Sequence, residues 1–376
     1  MSAGSSRSWV GYASVLLCGA AVGCGGAQKS TASVAARPVN AAAVSQLAQG
    51  AEAAKQPEGR RRAMGLFESA VKTDRELFEA HFNLGVLKAE AGDLEQAERS
   101  LSEAERLAPN AEDVVVALAE VRRRRGEPQA ALDSLRRFVK DNPNATLAPI
   151  VLMAVLRESG KADQAIDLAH QVLVRRARDP YALSELALAH LERAEVDTAE
   201  ILAQEAAKAD PKSAVAERTL GLVALKKGDD ALSFRHFARA TELDPTDTTA
   251  RLNMGTVLLQ AGVYDRAAEQ FRAVLTANAE DTPATLGLAA ALRGGAKKDD
   301  SRALQEAEKL LTALLVREPG NWAAQFNLAL LYSGPLKRPD AASALFKRVL
   351  DSAPSQHPAH AEAEKYLAGT GKNAGP

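Results

Sequence analysis

Apolar and polar positions recur along this chain with a period of 34 residues. Within residues 78–111, Leu84 lies on an apolar face with helical spacing, and Ala97 and Leu101 belong to a second such face. Gly92 lies between the two faces, where glycine suits the left-handed residue that ends a helix. The pattern therefore predicts two short helices joined by a tight turn.

Prolines mark the ends of successive copies of this pattern. Pro109 and Pro143 are 34 residues apart, and so are Pro211 and Pro245. Proline cannot continue a helix, so each one is expected just after the second helix of its copy. Because a short helix pair alone leaves an apolar face exposed, the pairs are expected to stack on one another as a solenoid.

Six consecutive copies keep this register without gaps, and two more follow after insertions. The copies are 78–111, 112–145, 146–179, 180–213, 214–247, 248–281, 282–321 and 322–354. The seventh copy carries six extra residues within 294–302, and a weaker copy precedes the series at 44–77. Glycines and prolines interrupt the pattern too regularly for a coiled coil, which needs uninterrupted heptads.

The copies closely resemble the tetratricopeptide repeat (TPR). Gly85, Ala97, Leu101 and Pro109 fall at positions eight, twenty, twenty-four and thirty-two of the copy at 78–111. That family has a small residue at the first two of these positions, a large apolar residue at the third and proline at the fourth.

This resemblance implies the fold and the domain organisation. Residues 44–354 are expected to form an all-α TPR alpha-solenoid, a right-handed superhelix of antiparallel helix pairs with one degenerate and eight good repeats. Residues 355–376 are expected to supply a capping helix, which shields the last repeat from water, and a tail.

The first residues have the layout of an export signal. Residues 1–23 contain one positive charge at Arg7, then an apolar run and then small residues, and this layout predicts a signal peptide. The apolar run is short for a membrane span. The end of this segment, Ala-Val-Gly before Cys24, resembles the bacterial lipobox. That resemblance implies cleavage before Cys24 and acylation of its thiol. An ordinary cleaved leader and a retained anchor are the alternatives.

Two features extend this interpretation. Gly25 follows Cys24 where an aspartate commonly signals inner-membrane retention, so the resemblance implies a lipid anchor at the periplasmic face of the outer membrane. Residues 24–43 are small and polar after the cysteine, which predicts a flexible tether. Cys18 and Cys24 are the only cysteines, so if Cys24 is acylated the mature chain is expected to contain no disulfide.

The charge balance narrows the classes of partner. The chain has 47 basic and 48 acidic residues and a net charge of −1, so no positive excess is available for phosphate binding. Nucleic acid is therefore not expected as a partner. Arginine runs such as Arg122 to Arg125 fall at helix ends, where cations are favoured and solvated.

No recognisable catalytic constellation is present. None of the six histidines lies in HExxH spacing, and Pro358 separates His357 from His360. The sequence also lacks a phosphate-binding glycine loop and a GxSxG nucleophile elbow. We therefore expect no enzymatic activity, no metal, no cofactor and no small-molecule substrate.

The resemblance also implies a partner-binding groove. In this family the first helix of each repeat lines a concave surface, and apolar residues recur at the corresponding positions here. The candidate groove residues are Phe82, Asn83, Val86, Ile150, Leu188, Leu222, Leu252, Asn253, Thr256, Phe326 and Asn327. The alternative is that these side chains pack against adjacent helices. Position nine never holds the asparagine by which some relatives clamp a C-terminal carboxylate, which disfavours a receptor of that type.

Together these features predict a non-enzymatic scaffold that helps assemble or hold an envelope machine of the pilus, secretin or gliding-motility type. Its expected partners are other envelope proteins. With these repeats and a predicted lipid anchor, the chain resembles three classes of lipoprotein. They are the pilotins of type IV pilus secretins, the lipoprotein of the outer-membrane protein insertion complex, and the lipoproteins of gliding-motility machinery. The alternative function is a periplasmic adaptor that recruits or regulates a cell-wall hydrolase.

Overall fold

A computed structural model of the chain describes residues 40–297 and 301–372. Within these ranges the fold is all-α, with nineteen helices, one short 3-10 turn at Pro57–Gly59 and no strand. Successive helix pairs follow the predicted repeats, which confirms the expected solenoid fold class.

The helices α1 to α19 occupy most of the described chain. In order they are Ala41–Ala54, Arg60–Thr73, Phe78–Glu90, Leu94–Leu107, Glu112–Arg124, Pro128–Asp141, Ala148–Glu158, Ala162–Arg175, Pro180–Glu192, Val196–Ala209, Ala214–Lys226, Asp230–Leu243, Thr248–Gln260, Tyr264–Ala277, Thr282–Gly295, Ser301–Arg317, Trp322–Ser333, Pro339–Ser352 and Pro358–Lys372.

Most first helices begin at the first residue of a predicted repeat, because the preceding residue caps them. Asp179, Ser213, Asp247 and Asp281 each accept a hydrogen bond from a backbone N–H in the first turn of α9, α11, α13 and α15. Helix α7 begins two residues late and is capped from the previous repeat. The carboxylate of Glu112 accepts hydrogen bonds from the N–H groups of the residues at 147 and 148, at 2.6 and 2.7 Å.

The turn within a repeat is left-handed, as the glycines at position fifteen predicted. The five turn glycines have φ between 71° and 84°. They are Gly92, Gly126, Gly160, Gly228 and Gly262. Ala194 occupies the same position in another repeat and adopts φ 61°, although a side chain disfavours this region.

The described residues form two compact units, one ending at Ala209 and the other beginning at Asp210. In each unit a helix packs on its neighbours in the chain, and some first helices also touch across repeats, such as α7 with α9 and α15 with α17. In the second unit, Phe237, Phe271 and Phe346 are buried at position twenty-four of their repeats and belong to one continuous apolar core.

The small residue at position eight allows the two helices of a repeat to approach closely. A Cβ atom on Gly221 would lie 2.6 Å from the ring of Phe237, and one on Gly255 would lie 2.9 Å from the ring of Phe271. These distances are shorter than van der Waals contact, so glycine permits the observed packing.

The two ends of the solenoid depart slightly from expectation. Helix α1 begins at Ala41, inside the predicted tether of residues 24–43, because Asn40 accepts hydrogen bonds from two N–H groups of its first turn. The rest of that tether, the predicted signal peptide and Cys24 lie outside the described residues. In the predicted capping segment, Pro358 starts α19 rather than interrupting it, because the first helical turn accepts proline.

Within the described ranges, no helix combines the length and the apolar character needed to cross a bilayer.

Candidate protein-binding site

The predicted groove residues of the first unit are largely enclosed by neighbouring helices. Phe82, Ile150 and Leu188 are only 2%, 4% and 7% exposed, and Val86 is 7% exposed. Asn83 is also buried, and its amide donates a hydrogen bond to the carbonyl of Glu79 at 2.8 Å. At these positions the side chains hold the repeats together.

The predicted groove residues of the second unit remain partly open to solvent. Leu222, Leu252, Thr256 and Phe326 are each half-buried. Further apolar side chains at equivalent positions of the same first helices are half-buried too. They are Leu225, Leu259, Leu286 and Leu330. Because these side chains sit on a buried core yet keep accessible surface, this face can bury more apolar area against another chain.

Two asparagines add polar groups to this face. The amide nitrogens of Asn253 and Asn327 donate to the carbonyls of Thr249 and Ala323, four residues back in the same helix, at 2.8 and 2.9 Å. Among the described residues each amide thus uses one of its two N–H donors, and the other donor and the carbonyl oxygen can form further hydrogen bonds.

The first helices of the first unit carry a bonded network of charges. Arg123 bonds Glu120 at 2.6 Å and Glu158 at 3.3 Å. Burial would lower the pKa of Arg123, but its bonds to these two glutamates raise that pKa above the ordinary value. Arg157 similarly bonds Glu185 at 3.3 Å and Glu192 at 2.6 Å. Both arginines therefore stabilise contacts between helices, and Arg123 is not the solvated charge that the sequence predicted for its run.

Arg293 was missed by the sequence analysis and stands apart from that network. It is partly buried near the end of α15, and its Nε atom makes no hydrogen bond within the described residues. Burial lowers the pKa of Arg293, and attraction to the carboxylate of Glu362 only partly opposes this effect. An available signal was its repeat position, which Arg123 and Arg157 share.

The histidines make local contacts. The Nδ1 atoms of His190 and His236 lie 2.6 and 2.8 Å from carboxylate oxygens of Glu195 and Glu217. His357 Nδ1 accepts a hydrogen bond from the N–H of Ala359 at 3.1 Å. In the part of the chain that the structure describes, no group of three or more His, Cys, Asp or Glu side chains is arranged to hold a metal ion.

Stacked helix pairs with a half-open apolar face define an α-helical repeat scaffold that binds proteins. Family models agree with this description over more than half of the sequence, so the chain belongs to the tetratricopeptide repeat family. One tetratricopeptide repeat model matches residues 47–112, 155–214, 252–306 and 298–357, and a second matches 113–145. The matched ranges leave out residues 215–251, where the structure nevertheless contains the helix pair α11 and α12.

Two solved structures with TM-scores above 0.5 share this fold at low sequence identity. A chain of the APC/C hetero-tetramer Cut9–Hcn1 is 16% identical in sequence, with a TM-score of 0.59. The alignment covers 87% of the present chain and 70% of the Cut9–Hcn1 chain. A monomeric mutant of IFIT1 with m7Gppp-AAAA is 16% identical in sequence, with a TM-score of 0.51. The alignment covers 78% of the present chain and 74% of the IFIT1 chain. TTC0263, a TPR protein of Thermus thermophilus, is 20% identical in sequence, with a TM-score of 0.42. The alignment covers 48% of the present chain and 99% of the TTC0263 chain.

No match to this sequence is found among curated proteins.

Proposed function

We propose that the second unit is the receptor surface of this scaffold. The partner, another envelope protein, lies along the first helices α11, α13, α15 and α17. One observation carries the proposal. Leu222, Leu252, Thr256 and Phe326 are half-buried here. At the corresponding positions of the first unit Phe82, Val86, Ile150 and Leu188 are enclosed, and of the apolar side chains there only Val116 is half-buried. Burial of apolar surface drives most protein association, so the more open face is the better receptor.

A charge placed on that face tests the proposal. Thr256→Lys and Leu222→Lys should each prevent capture of an envelope protein that the wild-type chain retains from detergent-solubilised envelopes. Val316→Lys is the matched control, since Val316 lies on the second helix α16 and is 80% exposed. Circular dichroism should show that all three variants remain folded.

The outcome is read from the variants together. Loss of the same partner with Thr256→Lys and Leu222→Lys, but not with Val316→Lys, supports the receptor surface. Equal capture by all four proteins contradicts it. We propose that this protein helps assemble or hold an envelope machine, and capture of a secretin, pilus or gliding-motility component would support that role. A cell-wall hydrolase would instead favour the adaptor function.

We propose further that acylation of Cys24 anchors the chain at the periplasmic face of the outer membrane. The support is the sequence pattern around Cys24, with the apolar run before it and Gly25 after it. Several acyl chains on one residue anchor a protein durably, whereas a single chain binds reversibly. The repeats would then stay close to the membrane at the end of a short tether.

The two cysteines offer a matched test of the anchor. Radiolabelled palmitate should be incorporated into the wild-type chain and into Cys18→Ser, but not into Cys24→Ser. In membranes separated by density, the labelled chain should appear with the outer membrane, and Gly25→Asp should move it to the inner membrane. Labelling of Cys24→Ser, or a soluble and unlabelled wild-type chain, contradicts the anchor.

A further inference from the structure

Three arginines share position twelve of their repeats, at or near the end of the first helix. Arg123 and Arg157 lie in the first unit, and each is held by two glutamates at 3.3 Å or less. Arg293 has the same register in the second unit. Among the described residues, the same side chain at the same repeat position therefore occurs with and without bonded carboxylates.

The difference at Arg293 comes from the residues that occupy the acceptor positions. Ala290 stands where Glu120 faces Arg123, and Gly334 stands where Glu158 and Glu192 lie in the first unit. Asn327 stands where Glu185 faces Arg157. Among the described residues, Arg293 Nε is buried without a hydrogen bond, and Glu362 acts on Arg293 only through longer-range attraction.

A partly buried guanidinium without a carboxylate is costly for the free protein, and a partner's carboxylate would remove the cost. Leu225 and Leu259 occupy position twelve of the two preceding first helices and are half-buried. Position twelve of the second unit thus presents apolar side chains followed by a cation. The chemistry complementary to this row is an acidic side chain next to apolar ones.

We propose that Arg293 binds an aspartate or glutamate side chain of the partner, whose adjacent apolar side chains lie on Leu225 and Leu259. The free N–H of Asn327 is the second donor to that carboxylate. This inference rests on the proposed receptor surface, and it assigns the chemical class of the partner segment. A planar guanidinium offers two parallel donors to one carboxylate, which makes the contact specific as well as attractive.

A random dodecapeptide phage library, selected on the full mature chain, provides the probe. Peptides selected on wild type should be enriched in Asp or Glu flanked by apolar residues. Selection on Arg293→Gln should lose the acidic enrichment, and selection on Arg293→Glu should favour Lys or Arg. Arg348→Gln, which changes an exposed arginine on α18, is the matched control and should select the same peptides as wild type.

One selected peptide then quantifies the contact by fluorescence anisotropy. Changing its Glu to Gln, or its Asp to Asn, should weaken binding to wild type about tenfold or more, which is the loss expected of a charge-assisted pair. The same change should leave binding to Arg293→Gln unchanged. Equal weakening in both proteins would overturn the inference. So would the absence of any acidic enrichment on wild type.

Melting temperatures give a readout that needs no peptide. Arg293→Met should raise the melting temperature of the free chain, by about 2–4 °C, because it removes a partly buried charge that has no bonded carboxylate among the described residues. Arg157→Met should lower it, because Glu185 and Glu192 lose their counter-charge. A fall with Arg293→Met would show that Arg293 is already compensated in the free chain and would contradict the proposal.

Two more variants separate the inference from the proposed function. If Thr256→Lys still binds the selected peptides as wild type does, the receptor surface is wrong. If Thr256→Lys abolishes binding but Arg293→Gln does not change it, only the carboxylate contact is wrong. Asp299→Asn/Asp300→Asn should bind like wild type. If only this double variant selects acidic peptides, a carboxylate of Asp299 or Asp300 binds Arg293 in the wild-type chain, and the inference is overturned.

Discussion

Arg218 and Asp247 form an ion pair that is buried on both sides. Arg218 Nη1 lies 2.7 Å from Asp247 Oδ2, and the two side chains are only 8% and 4% exposed. The other carboxylate oxygen of Asp247 accepts a hydrogen bond from the N–H of Ala250 at 2.9 Å, which caps α13. One carboxylate therefore links the first helix of one repeat to the first helix of the next.

Removal of one member of this pair should destabilise the chain strongly. Arg218→Met should lower the free energy of unfolding by about 3 kcal/mol or more, because Asp247 stays buried without its counter-charge. Urea unfolding followed by circular dichroism measures the change. Arg239→Met is the control, since Arg239 and its partner Glu242 are exposed, and it should cost less than about 0.5 kcal/mol. A loss as small as that of the control would contradict the role of the pair.

A glycine at position 194 should stabilise the chain. Ala194 adopts φ 61° where five other repeats have glycine, and a left-handed conformation costs a residue with a side chain about 1–2 kcal/mol. Ala194→Gly should therefore raise the free energy of unfolding by about 1 kcal/mol, after its larger loss of backbone entropy is included.

The matched control changes an alanine with an ordinary conformation. Ala261 precedes the turn glycine Gly262 and has φ −74°, so Ala261→Gly gains nothing from relief of strain. It should lower stability by about 0.5–1 kcal/mol in the same urea titration. Equal effects of the two substitutions would show that the left-handed turn imposes no penalty on Ala194.

A methyl group at position 221 should disrupt a helix pair. Because the Cβ of an alanine would lie 2.6 Å from the ring of Phe237, Gly221→Ala should destabilise the chain by about 1–3 kcal/mol. Thermal unfolding measures this effect. Gly65→Ala is the control in α2, where an added Cβ meets nothing within 4 Å, and it should be stabilising by about 0.5–1 kcal/mol.

A second substitution identifies the cause of that loss. Gly221→Ala with Phe237→Leu reproduces the combination of Ala119 and Leu135, which is fully buried at the same two positions of another repeat. The double variant should recover part of the lost stability, because the smaller side chain accommodates the methyl group. No recovery would place the destabilisation elsewhere than in the contact with Phe237.

Glu90 should make stability fall as the pH rises. Burial raises the pKa of Glu90, and Arg60 and Arg124 only partly oppose this. The folded chain then holds the proton more tightly than the unfolded chain does. Its contribution to stability is present below the ordinary pKa of a glutamate and is lost as the pH rises through the raised pKa.

Glu90→Gln should therefore lose less stability than wild type between pH 4 and pH 7. Urea midpoints at the two pH values, taken for both proteins, measure the difference. Glu280→Gln, which alters an exposed glutamate, should follow wild type. A steeper decline for Glu90→Gln than for wild type would reverse the assigned direction of the pKa shift.

The order of helices and turns could be predicted because each repeat carries its own local signals. A capping side chain such as Asp281 begins a helix, a glycine such as Gly92 permits the left-handed turn, and a proline such as Pro245 ends the second helix. These interactions act within a few residues, so the amino-acid sequence is sufficient to locate them.

The exposure of the candidate binding face could not be predicted in the same way. Phe82 and Leu252 hold the same position of their repeats, yet one is enclosed and the other half-open. Arg123 and Arg293 likewise share a register, and only the first has bonded glutamates among the described residues. Exposure and pairing depend on side chains from neighbouring repeats, more than thirty residues away in the case of Glu158. The period of the chain therefore specifies the scaffold, whereas packing between repeats specifies which of its surfaces remains available to a partner.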